Sequence, residues 1–207
     1  MRWRPRRSSG AAGRPGPSGT AAPEQVRAAL GLDRAERLLA AARAGRDSTG
    51  HVWLLATTWR LATVTETGEL GWARPWHEVD VAAWSREANE LTVTFVDERR
   101  PLVFPFGQEG LFLQVLRERV QASVVSSVEL PLPGRRPPRA VLRHDLATGE
   151  LVEQLVGAGG RTDAAAAQAA REAFNHLREE VGMPPLQPLP PAAPGAPNAV
   201  PSVVPSD

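Results

Sequence analysis

The sequence predicts an α+β protein: a small antiparallel β-roll or barrel closed by an amphipathic helix, with an extra C-terminal hairpin and helix. Three observations predict it. Between residues 52 and 106, short buried-looking or alternating runs succeed one another, separated by turn residues. At Gly110 the apolar period changes to the helical one, in GLFLQVLRERVQASVV. Beyond a proline-rich break, ELPLPGRRPPR, a hairpin-like RAVLRHDLATGELVEQLV precedes the helical TDAAAAQAAREAFNHLREEVG. Short strands with one helix across an open end let a chain of this size enclose a core.

Each element has its own grounds. PEQVRAAL (23–30) places a proline at the first turn of a short helix, where its missing N–H costs nothing. ERLLAAARA (36–44) suits a helix by its alanines and arginines, or a first strand by its position. VWLLATTW reads as a buried strand. RLATVTETG sets Leu61, Thr63 and Thr65 against Ala62, Val64 and Glu66, and ETGEL turns at Gly68. LTVTFV (91–96) alternates strictly. LVFPF (102–106) carries Pro105, which has no N–H for a ladder, so it belongs at an edge or a bulge. In the helix that follows, Leu111, Phe112, Val115, Leu116 and Val120 share one face, and Arg117, Glu118 and Gln121 the other. The last helix is capped by Thr162 or Asp163, carries Ala166, Ala170, Ala173, Phe174, Leu177 and Val181 as its stripe, and stops at Gly182 and Pro184.

Composition bounds the setting. The chain of 207 residues has no lysine, isoleucine, tyrosine or cysteine, and all 24 basic residues are arginine. That bias is expected of a high-GC bacterial genome. Without cysteine there are no disulfides, thiolate nucleophiles or cysteine-held metals. Residues 1–23 hold five arginines (Arg2, Arg4, Arg6, Arg7 and Arg14) and no acid. The other 184 residues therefore carry a net −4 beneath the overall +1. Both ends, 1–23 and the proline-rich 183–207, read as disordered tails. They flank a domain at 24–128 and a hairpin-plus-helix extension at 129–182. No apolar stretch follows RWRPRR, and no window approaches the ~18 apolar residues of a membrane span. A soluble cytoplasmic protein is expected.

Within this order, ATTWRLATVT resembles a strand–turn–strand of the bacterial PH-like (GRAM-like) domains, with Thr57 or Thr58 and Arg60-Leu61 at the matching positions. ARPWHEVDVAAW resembles the strand that follows, LTVTFVDERRPLVFPF the later hairpin and LFLQVLRERVQA the closing helix. The likeness spans residues 36–125 and implies a PH-like roll that presents a surface to a peptide or lipid rather than a catalytic centre.

The candidate site lies in GELGWARPWHEVDVAAW, which gathers Trp72, Arg74, Trp76, His77 and Trp84. As a plain strand it turns Trp76, Glu78 and Asp80 to one side and His77, Val79 and Val81 to the other. If Val79 and Val81 enter the core, Trp76 stands outside beside two carboxylates. The tryptophans are expected mostly as core or rim packing. The sharper alternative is a binding surface of Trp72, Arg74 and Trp76, with Arg135, Arg136 and Arg139 as a second basic patch. HEVDV lacks the second histidine of a zinc helix, and His51, His77, His144 and His176 are scattered. No nucleophile elbow or phosphate-cradling loop occurs. The expectation is a non-catalytic module that binds a protein partner and needs no cofactor. Two alternatives stand beside it. One is weak contact of Arg2, Arg4, Arg6 and Arg7 with nucleic acid or anionic lipid. The other is a small enzyme using the Trp/His/Glu/Asp strand.

Overall fold

The computed structural model describes residues 21–46, 50–97, 100–107, 110–133, 137–157 and 164–186. It is a mixed α+β protein with three antiparallel sheets. A short helix, α1 (Glu24–Ala28), follows Pro23 and buries Val26. Four strands then pair in sequence order: β1 (Leu38–Arg46), β2 (Gly50–Thr57), β3 (Arg60–Thr65) and β4 (Leu70–Pro75). Both faces of this sheet are covered, so β2 reads as a continuous apolar run rather than an alternation. Val52, Leu54 and Ala56 enter the main core, while Trp53 and Leu55 enter a second one with Val26 and Leu30.

The second sheet is a meander of β5 (Val79–Ser85), β6 (Glu90–Phe95) and β7 (Leu102–Pro105), with β5 and β7 at its edges. Pro105 thus sits on an edge strand, as its missing N–H requires. The helix α2 (Gly110–Ser123) packs between the sheets. The main core is filled by Leu54 and Leu61 from the first sheet, Val93 and Phe95 from the second, and Phe112 and Leu116 from α2.

The two sheets meet along one seam. Ala44 of β1 forms an isolated bridge to Phe106, and a Cβ built on Gly45 would stand 2.9 Å from the Pro105 Cβ. A side chain at Gly45 would crowd Pro105, and the alanine-rich segment before it is held as a strand by its ladder to β2. No continuous ladder joins the sheets among the described residues. The expected α+β class with antiparallel sheets is present, and the sheets are open rather than closed into a barrel.

The third sheet, β8 (Val124–Glu129), β9 (Arg139–His144) and β10 (Leu151–Val156), has β9 at its centre. β8 starts at the residue after α2 ends. The C-terminal layer therefore begins at Val124, five residues before the boundary read from the sequence. Helix α3 (Ala164–Glu180) covers one face of this sheet, where Ala140 and Leu142 meet Ala170 and Leu177. By strand alternation Arg139, Val141 and Arg143 turn the other way, towards the body of the protein. Residues Arg135 and Arg136, the cap residues Thr162 and Asp163, and Arg2, Arg4, Arg6, Arg7 and Arg14 lie outside the described residues.

Candidate interaction groove

The tryptophan-rich segment does not run through as one strand. β4 ends at Pro75, and Trp76–Glu78 form a single 3-10 turn before β5 begins. The turn rotates Trp76 inward. Its side chain is 0% exposed, the largest of the fully buried ones, and its indole N–H donates to the Thr57 carbonyl at 3.0 Å. The placement of Trp76 on an outer surface is thereby corrected. Trp72, half-buried, packs edge-on against Phe95 with ring centroids 5.3 Å apart. Arg74 lies over the same Phe95 ring and pairs with Glu78 and Asp97. Trp72 and Arg74 are therefore brought together, but as a stitched rim of the core, with the cation already matched.

Thr57 and Arg60 have a clear structural task. The Thr57 hydroxyl donates to Glu36 Oε1 at 2.6 Å and accepts from the backbone N–H of Trp59 and Arg60 at 3.1 and 2.9 Å. Arg60 grips both oxygens of the buried Glu36 carboxylate, each at 2.9 Å, and donates to the Leu30 carbonyl. The motif locks the β2–β3 turn to the segment that precedes β1.

A β-bulge between Val79 and Val81 breaks the expected alternation of the next strand. Val79 is fully buried, whereas Val81 is 46% exposed. Asp80, between them, pairs with Arg139 and lies 3.6 Å from Arg143. Arg143 is 2% exposed and donates to the Ser123 hydroxyl at 3.1 Å. Burial lowers the Arg143 pKa from its ordinary value; Asp80 opposes that shift and Arg139 adds to it. This cluster ties the third sheet to the body. Nothing local announces the pairing, since Asp80 and Arg143 lie far apart in the chain, and in the sequence Arg139 and Arg143 stand only as part of a basic stretch.

Beyond the bulge, β5 is an edge strand with α2 alongside, and between them lies a groove of about 580 Å³. Val81, Ala82 and Trp84 form its sheet side, and Leu113, Leu116 and Val120 its helix side. Its polar groups are Asp80, Arg117 and Gln121. The Trp84 indole nitrogen is buried without an acceptor. A wider depression of about 920 Å³ at the end of α3 includes Met183 and Pro184.

The Trp/His/Glu/Asp segment does not converge. Trp76 points into the core, Glu78 to Arg74, and Asp80 to Arg139 and Arg143. Among the described residues no three His, Asp or Glu side chains gather as a metal site, and no helix is long and apolar enough to cross a membrane. Compared with protein-family models and with curated proteins, the chain matches none.

Proposed function

We propose that the chain is a non-catalytic interaction module of PH-like type, and that it binds a protein partner through the groove between β5 and α2. The carrying observation is the pairing of an unpaired strand edge with an apolar cleft beside it. The edge offers main-chain hydrogen bonds and the cleft receives side chains, and together these make a recognition surface. The order of elements supports the PH-like reading: a four-stranded sheet, a three-stranded sheet and then a helix that shares their core. The groove's ionisable side chains support a binding role over catalysis. Asp80 is neutralised by two arginines, and neither Arg117 nor Gln121 supplies a base or nucleophile. The cysteine-free sequence suits a cytoplasmic setting in a high-GC bacterium.

The test is site-specific photo-cross-linking of the full chain in extracts of its host. With the cross-linker at Val81, in the groove, a discrete protein adduct is expected. With it at Leu70, an equally exposed apolar position on β4, none is expected. Equal labelling at both sites, or no adduct at Val81, refutes the proposal.

A further inference from the structure

The chemistry of the groove also specifies its occupant. Resting on the reading that this groove is the binding surface, we infer that it takes an extended, acidic segment of a partner protein, laid along β5 as an added strand. Three observations lead there.

The first is the edge itself. β5 pairs only with β6, so its other side has main-chain N–H and C=O groups that no strand of the described residues meets. An extended segment pairs with such groups; a helix, its own hydrogen bonds closed internally, leaves them unmet. The second is the floor. Ala82 and Trp84, on one face of β5, and Leu113 of α2 give an apolar pocket that takes every second side chain of a strand, the others turning to solvent.

The third is the charge of the walls. Asp80, the one acid in the lining, is held by Arg139 and Arg143. Arg117 is exposed and meets no carboxylate among the described residues. Among the described lining the groove therefore offers an exposed cation and no unmatched anion. Its complement supplies negative charge, which a carboxylate near Arg117 would provide. A second copy of the chain fits less well. Its β5 brings a carboxylate already in use and sets one Arg117 environment against another.

The experiment uses the full chain, ¹⁵N-labelled, and three acetylated octapeptides as probes. One alternates valine with glutamate, one alternates valine with lysine, and one has the charge of the first but prolines in place of its central valines. Indole and β5 amide resonances are followed, Trp84 being assigned by its loss in Trp84→Phe. The Val/Glu peptide is expected to shift the Trp84 indole and the β5 amides, and the proline peptide to do neither. Arg117→Glu, at an exposed position, is expected to weaken the Val/Glu peptide about tenfold and to gain binding of the Val/Lys peptide.

Equal binding of the Val/Glu and Val/Lys peptides, or indifference to Arg117→Glu, overturns the acidic assignment. Binding of the proline peptide overturns strand addition. Shifts of β5 that grow with protein concentration alone make a second copy the occupant and also overturn the inference. A discrete Val81 adduct in the cross-linking experiment, with no peptide bound, sinks this inference while leaving the groove reading intact. Loss of the adduct sinks both.

Discussion

The body of the protein and its C-terminal layer are held by different means. The body, from α1 to α2, closes two sheets over large apolar side chains, with Trp76, Phe95, Phe104 and Phe112 filling the space. The layer, from β8 to α3, packs alanines and leucines against its own helix; it meets the body through Leu146, which packs on the main core, and through Arg139 and Arg143 against Asp80. The one is closed by volume; the other adds a buried ion pair to its apolar contact. The first loses stability when atoms are removed; the second loses it when a partner is removed and the remaining charge stays buried.

The largest effect is expected in the body. Trp76→Ala removes a fully buried indole and its hydrogen bond, and a loss of about 3–5 kcal/mol is expected in urea unfolding. An unchanged midpoint would break the comparison at its root. The layer is tested next, by an asymmetry. Asp80→Ala leaves Arg143 buried without its counter-ion and should cost about 3 kcal/mol. Arg143→Met leaves Asp80 with Arg139 and should cost about 1 kcal/mol.

The pH dependence sharpens that test. Burial lowers the Arg143 pKa, so the cost of keeping it charged is carried at every pH below the folded value. It is relieved only as the pH rises through that value. An arginine keeps its charge throughout the range in which unfolding can be followed, so the deficit of Asp80→Ala should persist up to alkaline pH, measured as the urea midpoint across a pH series. A deficit that vanishes at mildly alkaline pH contradicts the assignment.

Two smaller effects belong to the body. Thr57→Val strips the acceptor from two backbone N–H groups and the donor from Glu36, for about 2 kcal/mol in the same assay. Trp72→Ala, at a half-buried site with one edge-on contact to Phe95, should cost about 1–2 kcal/mol. A loss matching that of Trp76→Ala would mean that the rim and the core are not distinct.

What could be read from the sequence follows the same division. β2, β3 and β6 were legible because apolar runs and alternation report directly on which faces are covered. α2 and α3 were legible by period, and β7 as an edge by Pro105. β1 is open between helix and strand in the sequence, since alanine favours a helix locally and the ladder to β2 that makes it a strand is tertiary. β8 was missed: VVSSVE is short and half polar, and it follows α2 with no turn residue to mark a boundary.

The site divided likewise. Trp72 and Arg74 were found as neighbours, but their matching by Phe95, Glu78 and Asp97 depends on tertiary placement. Trp76 was expected on a continuous strand, and one 3-10 turn was enough to reverse it. Arg139 was singled out as part of a basic loop, yet it is paired with Asp80. The groove escaped notice because it lies between two elements, and the helical face assigned to solvent supplies its Arg117 and Gln121.

The buried Arg143 also sets an order in time. A growing chain delivers the body first, complete with Asp80 on β5, before the residues of β9 have been made. Arg143 then arrives at a counter-ion already in place, and Ser123, the last residue of α2, stands ready to accept from it. Were the layer to collapse alone, the face of its central strand that carries Arg143 would lie open to water, with neither partner to fix the guanidinium. The body thus serves as the template on which the last third of the chain settles, and refolding from denaturant should pass through a species in which only the body has formed.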